Sequence, residues 1–588
     1  MTRPRPAKPA AMRVFACVLS VFLAAGVATA ADPEMRLQIG LKSAEETLSD
    51  LEAVVGGLAG EPKVYEDLIE PNLDIFLFGV DPTRTIRFDF VFPAKGESRL
   101  NMMIPVADQK DFLQDNIQPI GINTRRRAAD YYQLTGDVYE GWIRFLDEYA
   151  IIAKKPHEGD ADATQQKPSE ADPRLFEKPA DLALLIDENS GSRKDRAAVI
   201  EALGEQRLAK LKKDKDETDA EFELRRTMAE NRFKHLPRLV ADAEKFLFGY
   251  QTVAESGTGR SHLLIEPAAG TPLAEMINGI GTAEFLFAGV PTAEDPVFTA
   301  RLAWPMTEAR KERWRATMAA SRPVAVEQLD KQDPAPSEER RAAQEELSNA
   351  VYDFLEAGVD QPLLGMFAEM RPAGGKTYNT AAGLTSVDGT SLVGVLEKIP
   401  AATEGGQLEA DVETIGEIKL HKLTLPGLTP EIQDFVGGTS VYVGTAPDAI
   451  YFAAGPGGVD LLRESVADLT PATTDLMFSM RAHLGPVAEA LDSIMTKRDI
   501  SLIRFLQERR ERRLEDRKDA DEARRLQVTD PSAWRQAALE ALLGKTDDVL
   551  TMELKKSDNR LEGETTLGRS ILAAVGELIA KFAKENLG

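Results

Sequence analysis

Between Thr85 and Pro93 the chain reads TIRFDFVFP, which sets Ile86, Phe88, Phe90 and Phe92 on one side of an extended backbone and Arg87 and Asp89 on the other. Alternation with a period of two predicts a half-buried strand whose phenylalanines face a core. The next run, LNMMIPVADQKDFLQDNI, predicts a strand that turns at Asp108 into a short helix, with the aspartate placed to accept the helix's free N–H groups. YYQLTG, YAIIA (Tyr149 to Ala153) and PADLALLID (Pro179 to Asp187) predict further strands. Ahead of them, SAEETLSDLEAVVGGLAG predicts an N-terminal helical lead, residues 31–75.

The same grammar returns downstream. Ile104, Asp108, Phe112 and Leu113 are answered by Leu384, Asp388, Leu392 and Val393, an offset of 280 residues. YAIIA is answered by AIYFA (Ala449 to Ala453), Asp181 of PADLALLID by Asp475 of TTDLMFSMR, and SGTGRSHLLIE around Arg260 by KSDNRLEGETT around Arg560, at offsets of 300, 294 and 300. Four phrases in one order at nearly one spacing predict an internal duplication. The last of them, DDVLTMELKKSDNRLEGETTL, predicts a hairpin, with Leu550, Met552 and Leu554 alternating and SDN at the turn.

Each half also carries a charged helical insertion, at about 192–250 and about 484–545. In the first, Ile200, Leu203, Leu208 and Leu211 keep a helical spacing among charges. In the second, Arg509, Arg510, Arg512 and Arg513 alternate with Glu508, Glu511, Glu515 and Asp516, the composition of a solvated, ion-paired helix face. Residues 306–360 predict a helical connector with the proline-containing linker LDKQDPAPSEE, between a first α+β half at 76–305 and a second at 361–588. The predicted fold class is α+β, internally duplicated, with antiparallel sheets covered on one side by helices and with long charged helical insertions. Length alone would allow about three or four domains.

The first thirty residues change the picture of where the chain works. Arg3, Arg5, Lys8 and Arg13 precede the apolar run Val14 to Ala28, and Ala28-Thr29-Ala30 is a small-residue cleavage site, so residues 1–30 predict a signal peptide and export to the periplasm or the cell surface. Cleavage removes Cys17, the single cysteine, leaving a cysteine-free mature chain that must stabilise itself by burial. It also removes four basic residues and no acid, moving the formal charge from −25 to −29. So acidic a surface repels nucleic acid and anionic headgroups, which are bound chiefly through Lys and Arg. No later run predicts a membrane segment.

Chemistry-bearing motifs are sparse. GTSLVG at Gly389 and GTSVYVG at Gly438 lack the spacing of a nucleophile elbow, and LLGKT ending at Thr546 has Leu539 where a phosphate loop needs glycine. His157, His235, His262, His421 and His483 stand one at a time. AIYFAAGPGGVDLL resembles a dinucleotide turn only until Asp460, whose charge would face the pyrophosphate. DADAT at Asp160 and DKDET at Asp214 begin like calcium loops without the glycine and glutamate that complete one. No catalytic, cofactor-binding or metal residue is assigned from the sequence, and no cofactor is expected.

The order of strands ending in IPVADQKDFL and YAIIA, followed by ADLALLID and AAGTPLAEMING, resembles uncharacterised exported proteins of planctomycete type that carry such α+β units in tandem. The resemblance spans about residues 75–300 and, more faintly, 360–585. It implies an exported, duplicated α+β protein and carries no activity with it. The leading expectation is a non-enzymatic binding or scaffolding protein of the cell envelope, with an unknown protein as partner. The alternatives are a carrier of an apolar ligand such as a lipid, using Phe88 and Phe90, and a carboxylate-based hydrolase, for which a pair of facing acids would be required.

Overall fold

The computed structural model describes residues 33–136, 139–154, 173–215, 217–291, 296–331, 335–487, 541–542 and 547–587, with only the backbone at 234–238. The predicted signal peptide, residues 155–172 and most of the range expected for the second charged insertion lie outside the described residues.

Twenty strands are described: β1 (Glu34–Leu41), β2 (Ile86–Pro93), β3 (Arg99–Pro105), β4 (Ile122–Ala128), β5 (Tyr131–Gly136), β6 (Gly141–Leu146), β7 (Tyr149–Ala153), β8 (Leu182–Ile186), β9 (Ala243–Val253), β10 (Thr258–Pro267), β11 (Phe298–Pro305), β12 (Leu363–Gly374), β13 (Thr377–Thr385), β14 (Gln407–Ile415), β15 (Ile418–Thr424), β16 (Ser440–Thr445), β17 (Ala449–Ala454), β18 (Leu476–His483), β19 (Val549–Ser557) and β20 (Arg560–Leu567). All belong to one sheet. The helices of eight residues or more are α1 (Ala44–Glu52), α2 (Arg193–Ala209), α3 (Asp219–Asp242), α4 (Pro272–Gly279), α5 (Glu308–Leu329), α6 (Glu338–Ala357), α7 (Gly458–Val466) and α8 (Arg569–Asn586).

Every strand pair is antiparallel. The pairings trace one path, β4-β5-β6-β7-β3-β2-β1-β8-β9-β10, and then β20-β19-β18-β11-β12-β13-β17-β16-β15-β14. Read outward from the middle, the second run has the order of the first with ten added to each strand number. The runs join at β10 and β20, where Gly259 to Ile265 pair with Leu567 to Leu561.

Residues 31–75 open on β1 rather than on helix. MRLQIGL alternates Met35, Leu37 and Ile39 with Arg36 and Gln38, a strand pattern, and its ladder is filled by β2 on one side and β8 on the other. Helix begins at α1, with Ser43 as N-cap. Helix α3 ends at Asp242, and KFLFG, inside the range expected for the first insertion, runs within β9. A boundary at residue 305 leaves β11 with the first half, but among the described residues β11 pairs with β12 and β18 and sits in the second run.

Both faces of the sheet are covered, against the expectation of helices on one side. On one face, Met102, Ala150 and Ile152 pack with Phe112, Leu113 and Ile117 of the short helix after Asp108, and Ile265 and Leu561 pack with Leu273 and Ile277 of α4. On the other face, Leu175 covers Ala183, Leu185 and Leu247, while Phe285, Phe287 and the α7 leucines Leu461 and Leu462 cover Phe367, Ala381 and Tyr451.

This double cover extends the expectation for β2, whose phenylalanines do face a core, to its charged side. Arg87 and Asp89 are 2% and 1% exposed and make an ion pair at 2.9 Å, whereas Phe88 packs more loosely against the cluster around Met102. Gln38 and Asn101 lie directly opposite Asp89 on β1 and β3, and both are buried. Buried charge is tolerated when it is paired and hydrogen-bonded.

Candidate functional site

Where the two runs of strands meet, the second face of the sheet is left open. Alternation along each strand decides what it shows. On β10 it presents Arg260 and His262, on β20 Glu562, Glu564 and Thr566, on β19 Thr551 and Glu553, on β18 Ser479 and Arg481, and on β11 Thr299 and Arg301. Antiparallel register lines these up across the strands. One row reads His262, Glu564, Glu553, Ser479, Arg301; the next reads Arg260, Thr566, Thr551, Arg481, Thr299.

The rows floor two adjoining recesses of about 310 and 280 Å³, which share Glu564 and Thr566. Lys178 and Pro179, just before β8, form a wall of the second. Arg260, Glu553 and Glu564 are exposed, while the same face is closed at both ends of the rows. Following the register outward, His262 leads through Gly249, Ala183 and Gly40 to the buried Arg87, and Arg301 leads to the buried Phe367. The open strip is therefore confined to the strands around the junction.

Its electrostatics are mixed and specific. Glu553 and Glu564 are directly opposite on adjacent strands, an arrangement of like charges that costs stability. Lys555 relieves part of this by pairing with Glu553 at 2.9 Å, and Arg560 holds Glu562 at 2.8 Å. His262 does not help: burial, reinforced by Lys178, pushes its pKa below the ordinary value, and Glu564 opposes this only in part. Its Nε2 is buried without a hydrogen-bond partner among the described residues. Arg301 is fixed by donating to the Val290 carbonyl, and burial lowers its pKa against the pull of Glu369.

Apart from His262, none of the sequence's catalytic look-alikes among the described residues reaches this strip. At the glycine turn after β17, Gly457 N–H donates to Asn379 Oδ1 at 2.7 Å and Asp460 is paired with Arg463. At Asp214 the acids serve α3: Asp214 N–H donates to Glu217, which takes Arg225 Nε at 3.0 Å. His421 is buried, bonded to Thr445 Oγ1 at 3.0 Å and accepting from Asp411 N–H at 3.2 Å. His483 holds Asp548 at 2.8 Å. His157, the Asp160 run and the LLGKT segment lie outside the described residues, as does the His235 side chain. Among the described residues no group of His, Cys, Asp and Glu is placed to hold a metal ion, and no helix is long and apolar enough to cross a membrane.

Sequence reasoning singled out β10 and β20 as a repeated phrase and Leu550, Met552 and Leu554 as the apolar side of β19, yet passed over the alternate positions. Thr551, Glu553, Glu562, Glu564 and Thr566 were legible as the polar side of a hairpin. Arg301, Ser479 and Arg481 were not, because only the pairing of β11 with β18, which sets Thr299 opposite Arg481 far along the chain, brings them beside the hairpin. Compared with family models, curated proteins and solved structures, the chain matches none.

Proposed function

We propose that this chain is an exported, internally duplicated binding protein of the cell envelope that grips a polar, mixed-charge segment of a protein partner on the open strip across β10, β20, β19, β18 and β11. Duplication is supported by the strand order, which is reproduced with ten added throughout, and by the matched sequence phrases, which fall on β3 and β13, β7 and β17, β8 and β18, and β10 and β20. In this reading the duplication creates the site, since the strip exists only where the two halves meet edge to edge.

The observation that carries the proposal is the Glu553–Glu564 pair, like charges left opposite each other and exposed beside two arginines. Sheets selected for folding alone avoid that arrangement, and breaks of local rules concentrate at functional sites. Paired hydroxyls at Thr551 and Thr566 between Arg260 and Arg481 add donors and acceptors for a polar chain. Among the described residues no Phe, Tyr or Trp lines either recess, so the usual stacking platform for a sugar ring is not there. The two acids are neighbours on one floor rather than groups on opposing walls, so the hydrolase reading gains nothing from them. The lipid-carrier reading loses its motivating residues, because Phe90 is buried and Phe88 packs into the core.

The test is co-purification from the native envelope with wild-type protein and with the triple variant Arg260→Glu, Glu553→Lys, Glu564→Lys. Its sites are exposed, so the fold should persist by circular dichroism. A protein companion held by wild type and lost from the variant supports the proposal; an unchanged set of companions defeats it.

A further inference from the structure

The sheet ends in two free edges of opposite charge. β4 pairs only with β5 and β14 only with β15 among the described residues, so each leaves its outer row of N–H and C=O groups without a strand partner. β4 reads INTRRRA, with Arg125, Arg126 and Arg127 exposed; β14 reads QLEADVETI, with Glu409, Asp411 and Glu413 exposed.

We infer that these edges dock to each other between copies, the basic β4 of one molecule adding to the acidic β14 of the next in a head-to-tail array. Direction agrees with charge. β4 is the first and β14 the twentieth strand of a strictly antiparallel order, so the two run in opposite senses. A second copy in the same orientation therefore brings its β4 alongside β14 as another antiparallel neighbour, continuing the sheet.

Charge on an edge is the usual means of preventing such pairing. Here it blocks only the like pairings, β4 with β4 and β14 with β14, and favours the unlike one. Among the described residues no carboxylate is paired with the three arginines; Arg126 donates to the carbonyls of Ala128 and Ala129, and Arg127 to Gln133. On the acidic edge, Lys422 holds Glu409 at 2.9 Å, Lys419 lies 3.5 Å from Asp411, and Arg463 reaches Glu413. The three acids nonetheless stay 56%, 55% and 42% exposed, with room for a second cation.

Both edges are interrupted, β4 between Arg126 and Ala128 and β14 between Glu409 and Glu413, where Asp411 has a φ of 51°. The ladder each can offer is short, so the array is reversible and weakened by salt. A heterologous contact of this kind does not close on itself in pairs; it grows into open chains or rings.

Sedimentation velocity on the mature protein at rising concentration and low salt tests this directly. Two variants complete it: R125E with R127E, which makes both edges acidic, and E409K with E413K, which makes both basic. Expected are wild-type species larger than a dimer that dissolve on adding salt, monomers for each variant alone, and renewed association when the two variants are mixed in equal amounts. Wild type that stays monomeric throughout, variants that associate as wild type does, or a mixture that stays monomeric would each overturn the inference.

Discussion

His262 and Glu564 lie directly opposite one another on β10 and β20, the single strand pair that joins the two ten-strand runs. The imidazole has room there because residue 249 on the next strand is glycine: a Cβ at Gly249 would come within 2.2 Å of His262 Cε1 and 3.0 Å of Ala180 Cβ. Gly249→Ala should therefore destabilise the protein by about 1–3 kcal/mol through overpacking. Adding His262→Ala should restore much of the loss. Denaturant unfolding of the single and double variants measures both effects.

The Arg87–Asp89 ion pair predicts a strongly non-additive cycle. Removing either partner leaves a buried charge without its counterion, a loss of about 3–5 kcal/mol. Replacing both with leucines removes the two charges together and should cost less than either single change. The four denaturation midpoints decide it; additive losses would show that the two charges do not depend on one another.

Asp50 on α1 sets a pH dependence. Burial, together with the neighbouring Asp181 carboxyl and then Glu46, pushes its pKa from 3.8 up to about 7, with Lys42 opposing. Thr252 N–H donates to Asp181 Oδ2 at 2.8 Å, which fixes the second carboxyl in place. A carboxyl whose folded pKa exceeds its unfolded one holds its proton more tightly when folded. Its stabilising contribution is complete below pH 3.8, falls as the pH rises, and levels off above about pH 7. Unfolding midpoints should decline across that window in the wild type, and Asp50→Asn should flatten the decline.

Asp108 and Asp388 predict equal behaviour at matched places. Asp108 Oδ1 accepts from the N–H groups of Lys110 and Asp111 at 2.8 and 3.0 Å, and Asp388 Oδ1 accepts from Thr390 N–H at 3.1 Å. Alanine at either position should cost about 0.5–2 kcal/mol, and asparagine much less, because it caps as well. Thermal melts of the four variants check this.

The same two aspartates show how far the sequence could be read. Short-range signals held: Asp108 caps a helix where its spacing placed it, YYQLTG and YAIIA became β5 and β7, and the SDN hairpin formed with Asp558 at a φ of 55°. The alternation of TIRFDFVFP gave a strand with its phenylalanines toward a core but missed the cover on its other side. Period two cannot say that the charged side is also covered, since Arg87 and Asp89 neutralise each other only once the strand is seated. β1 was obscured by the helix that follows, and β11 by its place in the chain, next to the connector instead of its partners. The strip was half legible for a related reason. Its hairpin side is local, while Arg301 and Arg481 arrive through pairing that no local pattern encodes.

Occupancy of the strip is measured most directly by photo-crosslinking in the native envelope. A photoreactive residue at Thr551 samples the floor of the larger recess, and one at Val575, 41% exposed on α8, samples open surface as a control. The account predicts a discrete protein adduct from position 551 that disappears when Arg260→Glu and Glu564→Lys are added, with none of that adduct from position 575. The same adduct from both positions, or none from position 551, would contradict it.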